Sequence, residues 1–287
     1  MRKKPFVLAG LIAVGVLLGA GVAVSLLIAA KSDCPLGRTL TVAFDMHRLN
    51  SNDLRIRRQS RIVRRDGELE LWSTPEGQFW IPSHSAKAFP YVLAEEFVRI
   101  YGTGTLAVRP GDIVLDCGAA VGDFTRQALQ MGASVVVAVE PSPVEQVCLR
   151  RNLGNDISRG KVIIYPKGVW NTESTLTLYS DSVVERRSAS GVIVPLTTID
   201  KLVSELNLPR VDFIKMDIEG AEVPALQGAA GTLARYRPRM SISTEHYPDD
   251  APKITQVVRS AVPSYTSACG VCFLFAGRIR PYVLHFY

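Results

Sequence analysis

Apolar and polar positions change their spacing several times along the chain, and each change predicts an element. Pro5 to Ala30 is an uncharged run of 26 residues, fourteen of them Leu, Ile, Val or Phe. A helix of that length spans roughly 39 Å at about 1.5 Å per residue, more than a hydrocarbon core of about 30 Å. Residues 1–30 therefore predict a transmembrane anchor, with an overlong cleaved signal as the alternative. Residues 31–66 turn polar and arginine-rich and read as a basic linker. Residues 67–110 form a lead-in. Within it, Leu69 and Leu71, the Thr74-Pro75-Glu76-Gly77 break, and Phe79 and Ile81 predict a hairpin. Leu93, Phe97 and Ile100 predict a short helix from Tyr91 to Tyr101.

From 111 to 287 the pattern is that of one main domain. Short β-rich runs at Ile113–Cys117, Val135–Val139, Val162–Tyr165, Val211–Met216 and Met240–Thr244 alternate with amphipathic stretches. Buried strands alternating with helices predict an α/β fold with a doubly wound, mostly parallel sheet. Leu176, Leu178 and Val192–Val194 break the rhythm and read as extra strands around a polar loop, Ser180 to Ser190. That loop, with Glu185, Arg186 and Arg187, is a candidate acceptor lid or a plain excursion.

Composition narrows the class. A hydrophobic fraction of 47% and a charged fraction of 21% exclude a wholly disordered chain. Five scattered cysteines do not make a disulfide scaffold. The single Cys269-x-x-Cys272 pair is half a zinc site at most, and Phe273 to Phe275 beside it suggests a strand. The net charge of +6 is uneven: between Arg48 and Arg65 seven arginines meet one acid, while residues 66–287 are mildly acidic. That argues against a nucleic-acid partner. The arginine collar suits anionic headgroups or a solvated linker equally.

Candidate chemistry lies at the strand ends. In Val114-Leu115-Asp116-Cys117-Gly118-Ala119-Ala120-Val121-Gly122-Asp123-Phe124 a strand ends in an acid and a small-residue loop leads into a helix. Glycines there permit tight turning and close approach to a ligand. The next strand ends at Glu140-Pro141, where an acid can accept both hydroxyls of a ribose. The dinucleotide fingerprint needs a middle glycine, and Ala120 stands in its place. An acidic loop without phosphate ligands suits S-adenosylmethionine better. Further along, Asp212-Phe213-Ile214-Lys215-Met216-Asp217-Ile218-Glu219-Gly220-Ala221-Glu222 delivers three acids past a core strand. Lys215 reads as a strand residue with its ammonium reaching solvent. Trp72, Trp80 and Trp170 read as packing.

With Thr197-Thr198-Ile199-Asp200 before this segment and Ser243-Thr244-Glu245-His246 after it, residues 90 to 247 resemble the FkbM family of S-adenosylmethionine-dependent methyltransferases. The resemblance implies a class I methyltransferase fold, Rossmann-like, and O-methylation. By position it implies that Asp116, Gly118, Ala119 and Gly122 border the methionine part of the cofactor. Glu140 and Pro141 would border the ribose, and Lys167 and Gly168 the adenine. Asp217 would face the methyl group or the acceptor. Cys117 and Ala120 depart from many members and read as packing variation.

Methyl transfer to a hydroxyl gains from a base. His246 is placed for that role, with Asp217 or Glu219 orienting it or the acceptor. Asp217, Glu219, Glu222 and His246 could also hold a divalent metal, but no spacing is diagnostic and no metal is assigned. The expectation is a single-pass membrane protein methylating a hydroxyl of a glycan, glycolipid or related metabolite. Its body would lie on the cytoplasmic face, where the cofactor is reachable. An NAD-dependent oxidoreductase and a non-catalytic tethered binding module are the alternatives.

Overall fold

The computed structural model describes residues 32–179 and 191–287. Its centre is a seven-stranded sheet. In chain order its strands are β4 (Ile113–Cys117), β5 (Val135–Val139), β6 (Val162–Tyr165), β10 (Phe213–Met216), β11 (Arg239–Ser243), β12 (Ser267–Cys269) and β15 (Val283–Phe286). Their order across the sheet is β12-β15-β11-β10-β4-β5-β6. The five strands from β11 to β6 are parallel, and β15 runs antiparallel to both β11 and β12. This is the doubly wound, mostly parallel arrangement that the alternating pattern predicts.

The central strands are buried on both faces, as parallel strands between helices must be. Along β4, Leu115 and Cys117 enter one core and Val114 the other. The first core is closed by α6 (Ile199–Glu205), α7 (Glu222–Gln227), α8 (Ala230–Tyr236) and α9 (Asp250–Ala261), through residues such as Leu202, Leu226, Leu233 and Ile254. The second is closed by α1 (Leu36–Gln59), α2 (Phe89–Val98) and α3 (Asp123–Gln130), with a meander of β1 (Arg61–Asp66), β2 (Leu69–Thr74) and β3 (Gly77–Pro82). Helix α4 (Pro143–Asn152) and the one-turn α5 (Gly154–Ser158) link β5 to β6. A small sheet of β7 (Gly168–Val169), β9 (Val192–Thr197) and β8 (Ser174–Leu178) follows β6. The hairpin of β13 (Cys272–Phe275) and β14 (Arg278–Pro281) lies against α1.

Three expectations are corrected. The first is the single-pass membrane protein: among the described residues no helix is long and apolar enough to cross a membrane. Residues 1–30, where the anchor was expected, and the Ser180–Ser190 loop lie outside the described residues. The second is the basic linker. Most of it is helix α1 and strand β1, because Val42, Leu49 and Ile56 recur at intervals of seven and are buried, while the arginines stay outside. Arg55 reaches Glu76 at 3.0 Å and Arg57 reaches Asp53 at 2.8 Å. The third is the cysteine reading. Cys34 and Cys272 form a disulfide across 238 residues, which ties the start of α1 to β13.

The β2–β3 hairpin forms as the pattern predicts. Thr74 Oγ1 accepts from the Glu76 amide at 3.1 Å and donates to the Gly77 carbonyl at 2.8 Å. The expected short helix is α2, with Leu93 buried but Phe97 outside, under the Arg55 guanidinium.

Candidate active site

Two strand ends meet at the middle of the sheet. After β4 the chain turns at Gly118 with φ +79°, and a Cβ there would sit 1.9 Å from the Asp217 carbonyl oxygen. Only glycine lets the ends of β4 and β10 lie this close. The Gly118 and Ala119 amides both donate to the Val139 carbonyl, at 3.0 and 3.1 Å, which draws the loop toward β5. Gly122 has φ +93°, and a Cβ would meet Leu153 at 2.7 Å. Ala120 lies between them at φ +43°, in the left-handed region that costs an L-residue roughly 1–2 kcal/mol. It is therefore more than packing variation: its amide donates to Glu140 Oε2 at 3.0 Å.

Glu140 Oε1 accepts from the Ser142 amide at 2.8 Å, so the loop and the start of α4 together aim this carboxylate. Burial and the neighbouring Glu145 charge push its pKa well above the ordinary range. Pro141 lies against Gly168, where a Cβ would be 3.7 Å from the proline ring. Lys167 pairs with Glu205 at 3.2 Å. The loop thus brings together Asp116, Gly118, Ala119, Gly122, Glu140, Pro141 and Gly168, while Lys167 is held by α6.

Asp116 is fully buried; it accepts from Thr125 Oγ1 at 2.6 Å and faces Lys215 Nζ at 3.4 Å. Contrary to the reading from the sequence, Lys215 does not reach solvent. It is 5% exposed and donates to the Gly118 carbonyl at 2.7 Å. Burial opposes its charge, but Asp116, Asp217 and Asp123 outweigh that and raise its pKa. The lysine therefore clamps both strand ends as a permanent cation.

Past β10 a second cluster forms. Asp217 Oδ2 accepts from the Tyr101 hydroxyl at 2.7 Å, and Oδ1 lies 3.1 Å from His246 Nε2. The same nitrogen lies 3.3 Å from Glu222 Oε1, which also accepts from the Ile218 amide at 2.8 Å. Burial works against the Asp217 charge, but the His246 hydrogen bond, the Lys215 ammonium and Tyr101 hold its pKa down to about 2. Burial also works against charge on His246, yet Asp217 and Glu222 push its pKa up to about 11. The two carboxylates fix the orientation of the imidazole. Glu219 stands at the rim, 90% exposed, with Oε2 3.8 Å from His246 Nδ1.

Several residues here carry no local sequence signal. Tyr101 comes from beyond α2, and Tyr282, between β14 and β15, hydrogen-bonds Glu95 on α2. Burial raises the Glu95 carboxyl to about 8, and burial with the Asp217 charge raises Glu245 to about 7. The Glu95-Glu96 pair inside an otherwise apolar helix was the one available hint, since both carboxylates are buried.

The family model described as the methyltransferase FkbM domain matches residues 116–266. This chain belongs to the FkbM methyltransferase family. The match begins at Asp116 and takes in both strand-end clusters. Its methyl donor is S-adenosylmethionine. The residues fit that cofactor: a glycine turn that no side chain could fill, and a buried carboxylate aimed by two amides at the next strand end.

Among solved structures, the FkbM methyltransferase of Methylobacillus flagellatus KT is 17% identical, with a TM-score of 0.51. The alignment covers 87% of this chain and 62% of that one, so this chain spans less than two thirds of its relative. A ribosomal protein L11 methylase of Lactobacillus delbrueckii subsp. bulgaricus is 14% identical over 68% of this chain and 76% of its own, with a TM-score of 0.40. The first likeness shows the shared fold; the second is too loose to say more. No curated protein matches the chain.

Proposed function

We propose that this FkbM-family methyltransferase transfers a methyl group to a hydroxyl oxygen of a glycan, glycolipid or related polyhydroxylated metabolite. The observation that carries the reading is the Asp217–His246–Glu222 cluster at the end of β10, directly beside the Gly118 turn. S-adenosylmethionine supplies an electrophilic methyl on a sulfonium. The acceptor oxygen would take that methyl, the sulfur would leave as a neutral thioether, and the hydroxyl proton would pass to solvent beside the ionised Asp217. Such a displacement needs alignment and exclusion of water above all.

The residues of this chain divide that work. Gly118, Gly122 and Glu140 receive the cofactor. Asp217 stays ionised and accepts a hydrogen bond from the acceptor hydroxyl. His246 holds Asp217 and Glu222 in place. The rim supports a polyol acceptor: Tyr247 is exposed beside Gly220 and offers a ring to an apolar sugar face, while Glu219 offers a carboxylate to its hydroxyls.

The test is to incubate the full chain with carbon-13-methyl-labelled S-adenosylmethionine and a panel of glycosides, amines and carboxylic acids, and to read the product by NMR. A base-stable methyl ether on a glycoside supports the reading. Label on nitrogen, or in a base-labile ester, overturns O-methylation.

A further inference from the structure

The three groups that meet past β10 are of ligand type, and they converge. His246 Nε2 lies 3.1 Å from Asp217 Oδ1 and 3.3 Å from Glu222 Oε1. One ligand atom from each of the three residues falls within 4.8 Å of those of the other two. A first-row divalent cation bound at about 2.0–2.2 Å holds adjacent ligands roughly 3.0–3.4 Å apart. The two distances to the imidazole nitrogen are already of that size.

Two further observations point to a cation as the partner of these groups. Glu222 is 1% exposed, and its Oε2 has no hydrogen-bond partner. A buried carboxylate oxygen left unsatisfied is costly, and a metal ion is one of the few groups that repays it. The surroundings are also acidic beyond the three ligands. Glu219 and Glu245 interact with Asp217 or His246, and Asp250 with Glu222 and His246. Tyr101 holds the other oxygen of Asp217 and leaves Oδ1 facing the cluster.

We propose that Asp217 Oδ1, Glu222 and His246 Nε2 form a divalent-cation site. Two carboxylates with one imidazole suit a cation of intermediate hardness, Mn²⁺ or Zn²⁺ before Ca²⁺. The site deepens the O-methyltransferase reading and rests on it for its role. A cation there binds the acceptor oxygen and lowers the pKa of its hydroxyl, and the proton passes to solvent.

The Cys34, Cys269 and Cys272 sulfurs also cluster, but two of them are joined in the disulfide.

The experiment is a Mn²⁺ titration of the full chain, freed of metal by chelation, followed by electron paramagnetic resonance, with Mg²⁺ and Zn²⁺ as competitors. The same titration is run on Glu222→Gln and His246→Gln. Calorimetric binding of S-adenosylmethionine serves as the fold control. The expected result is one Mn²⁺ per chain, displaced by Zn²⁺, with affinity at least about 10- to 100-fold weaker in either variant. Cofactor binding persists in both. No stoichiometric Mn²⁺ or Zn²⁺ binding by a chain that binds the cofactor overturns the site, as does equal Mn²⁺ affinity in both variants. Methyl transfer to a hydroxyl by metal-free chain would overturn the cation's role in activating the acceptor and leave the O-methyltransferase reading standing. Stoichiometric Mn²⁺ binding by a chain that methylates only nitrogen would leave the site standing and overturn the O-methylation reading.

Discussion

The two strand ends that meet at Gly118 are built in different ways. On the cofactor side, past β4 and β5, position is set by backbone. Two glycines and one strained alanine shape the loop, two amides hold Val139, and two more hold Glu140. On the acceptor side, past β10 and β11, position is set by side chains from distant segments. Tyr101 reaches Asp217 across 116 residues, and Tyr282 reaches Glu95 across 187. A backbone-built half tolerates changed side chains and fails when a glycine is filled. A side-chain-built half loses function in steps, one hydrogen bond at a time.

The largest effect should come where the halves touch. Gly118→Ala places a methyl 1.9 Å from the Asp217 carbonyl and adds the left-handed penalty. Backbone on both sides leaves nothing flexible to yield. The expected cost is about 3 kcal/mol or more, measured by urea unfolding, with cofactor binding and methyl transfer both abolished. Stability unchanged within about 0.5 kcal/mol would mean that the strand ends are looser than they stand here.

Glu140→Ala separates the halves. It removes the carboxylate at the ribose position and leaves the Asp217 cluster intact. Affinity for S-adenosylmethionine should fall by about 10- to 100-fold, the worth of charge-assisted hydrogen bonds at about 1.5–3 kcal/mol. Turnover at saturating cofactor should change little. A loss confined to turnover would move Glu140 out of the cofactor half.

Tyr101→Phe tests the other side. It removes the hydroxyl donor to Asp217 and keeps the ring. Turnover should fall by about tenfold with cofactor affinity unchanged. The same variant carries a pH signature. Asp217 has its pKa depressed to about 2, so its contribution to stability is present above the unfolded value of about 3.8 and is lost as pH falls toward 2. Without the Tyr101 donor that loss should begin at higher pH, which acid-unfolding curves of the two proteins will show. His246 has the opposite sign: its raised pKa contributes stability below about 6.5 that is lost as pH rises toward about 11. Coincident acid limbs would show that Tyr101 does not hold Asp217.

The same contrast explains what could be read from the chain alone. The sheet was legible because each buried strand is a contiguous apolar run, and β4, β5 and β6 fall where the pattern placed them. The cofactor loop was legible because its glycines, Asp116 and Glu140 sit close in sequence to the strand ends that position them. The acceptor side was legible only as far as Asp217, Glu219, Glu222 and His246, which lie on the loops past β10 and β11. Tyr101, Lys215 and Glu95 depend on packing between elements far apart in the chain. Helix α1 was hidden because arginines outnumber the apolar positions of its buried face, which appear only once every two turns. The Cys34–Cys272 bond spans 238 residues, beyond any local spacing rule.

The smallest expected effect sharpens the contrast further. Position alone puts Lys167 with the cofactor residues, at the end of β6. Its ammonium, however, is 3.2 Å from Glu205 on α6 and 5.3 Å from the Tyr165 ring centre. Solvent reaches both partners of the pair, and exposed pairs contribute little. Lys167→Ala should therefore leave cofactor affinity within about threefold of the parent by calorimetry, against the loss of about tenfold or more from Glu140→Ala. Gly168 beside it is different in kind. A Cβ there would lie 2.6 Å from Leu196 Cδ2, so Gly168→Ala makes the Leu196 side chain on β9 give way. A Lys167→Ala loss as large as that of Glu140→Ala would show that the adenine side is held by a charged side chain, and the backbone-built half would then end at β5.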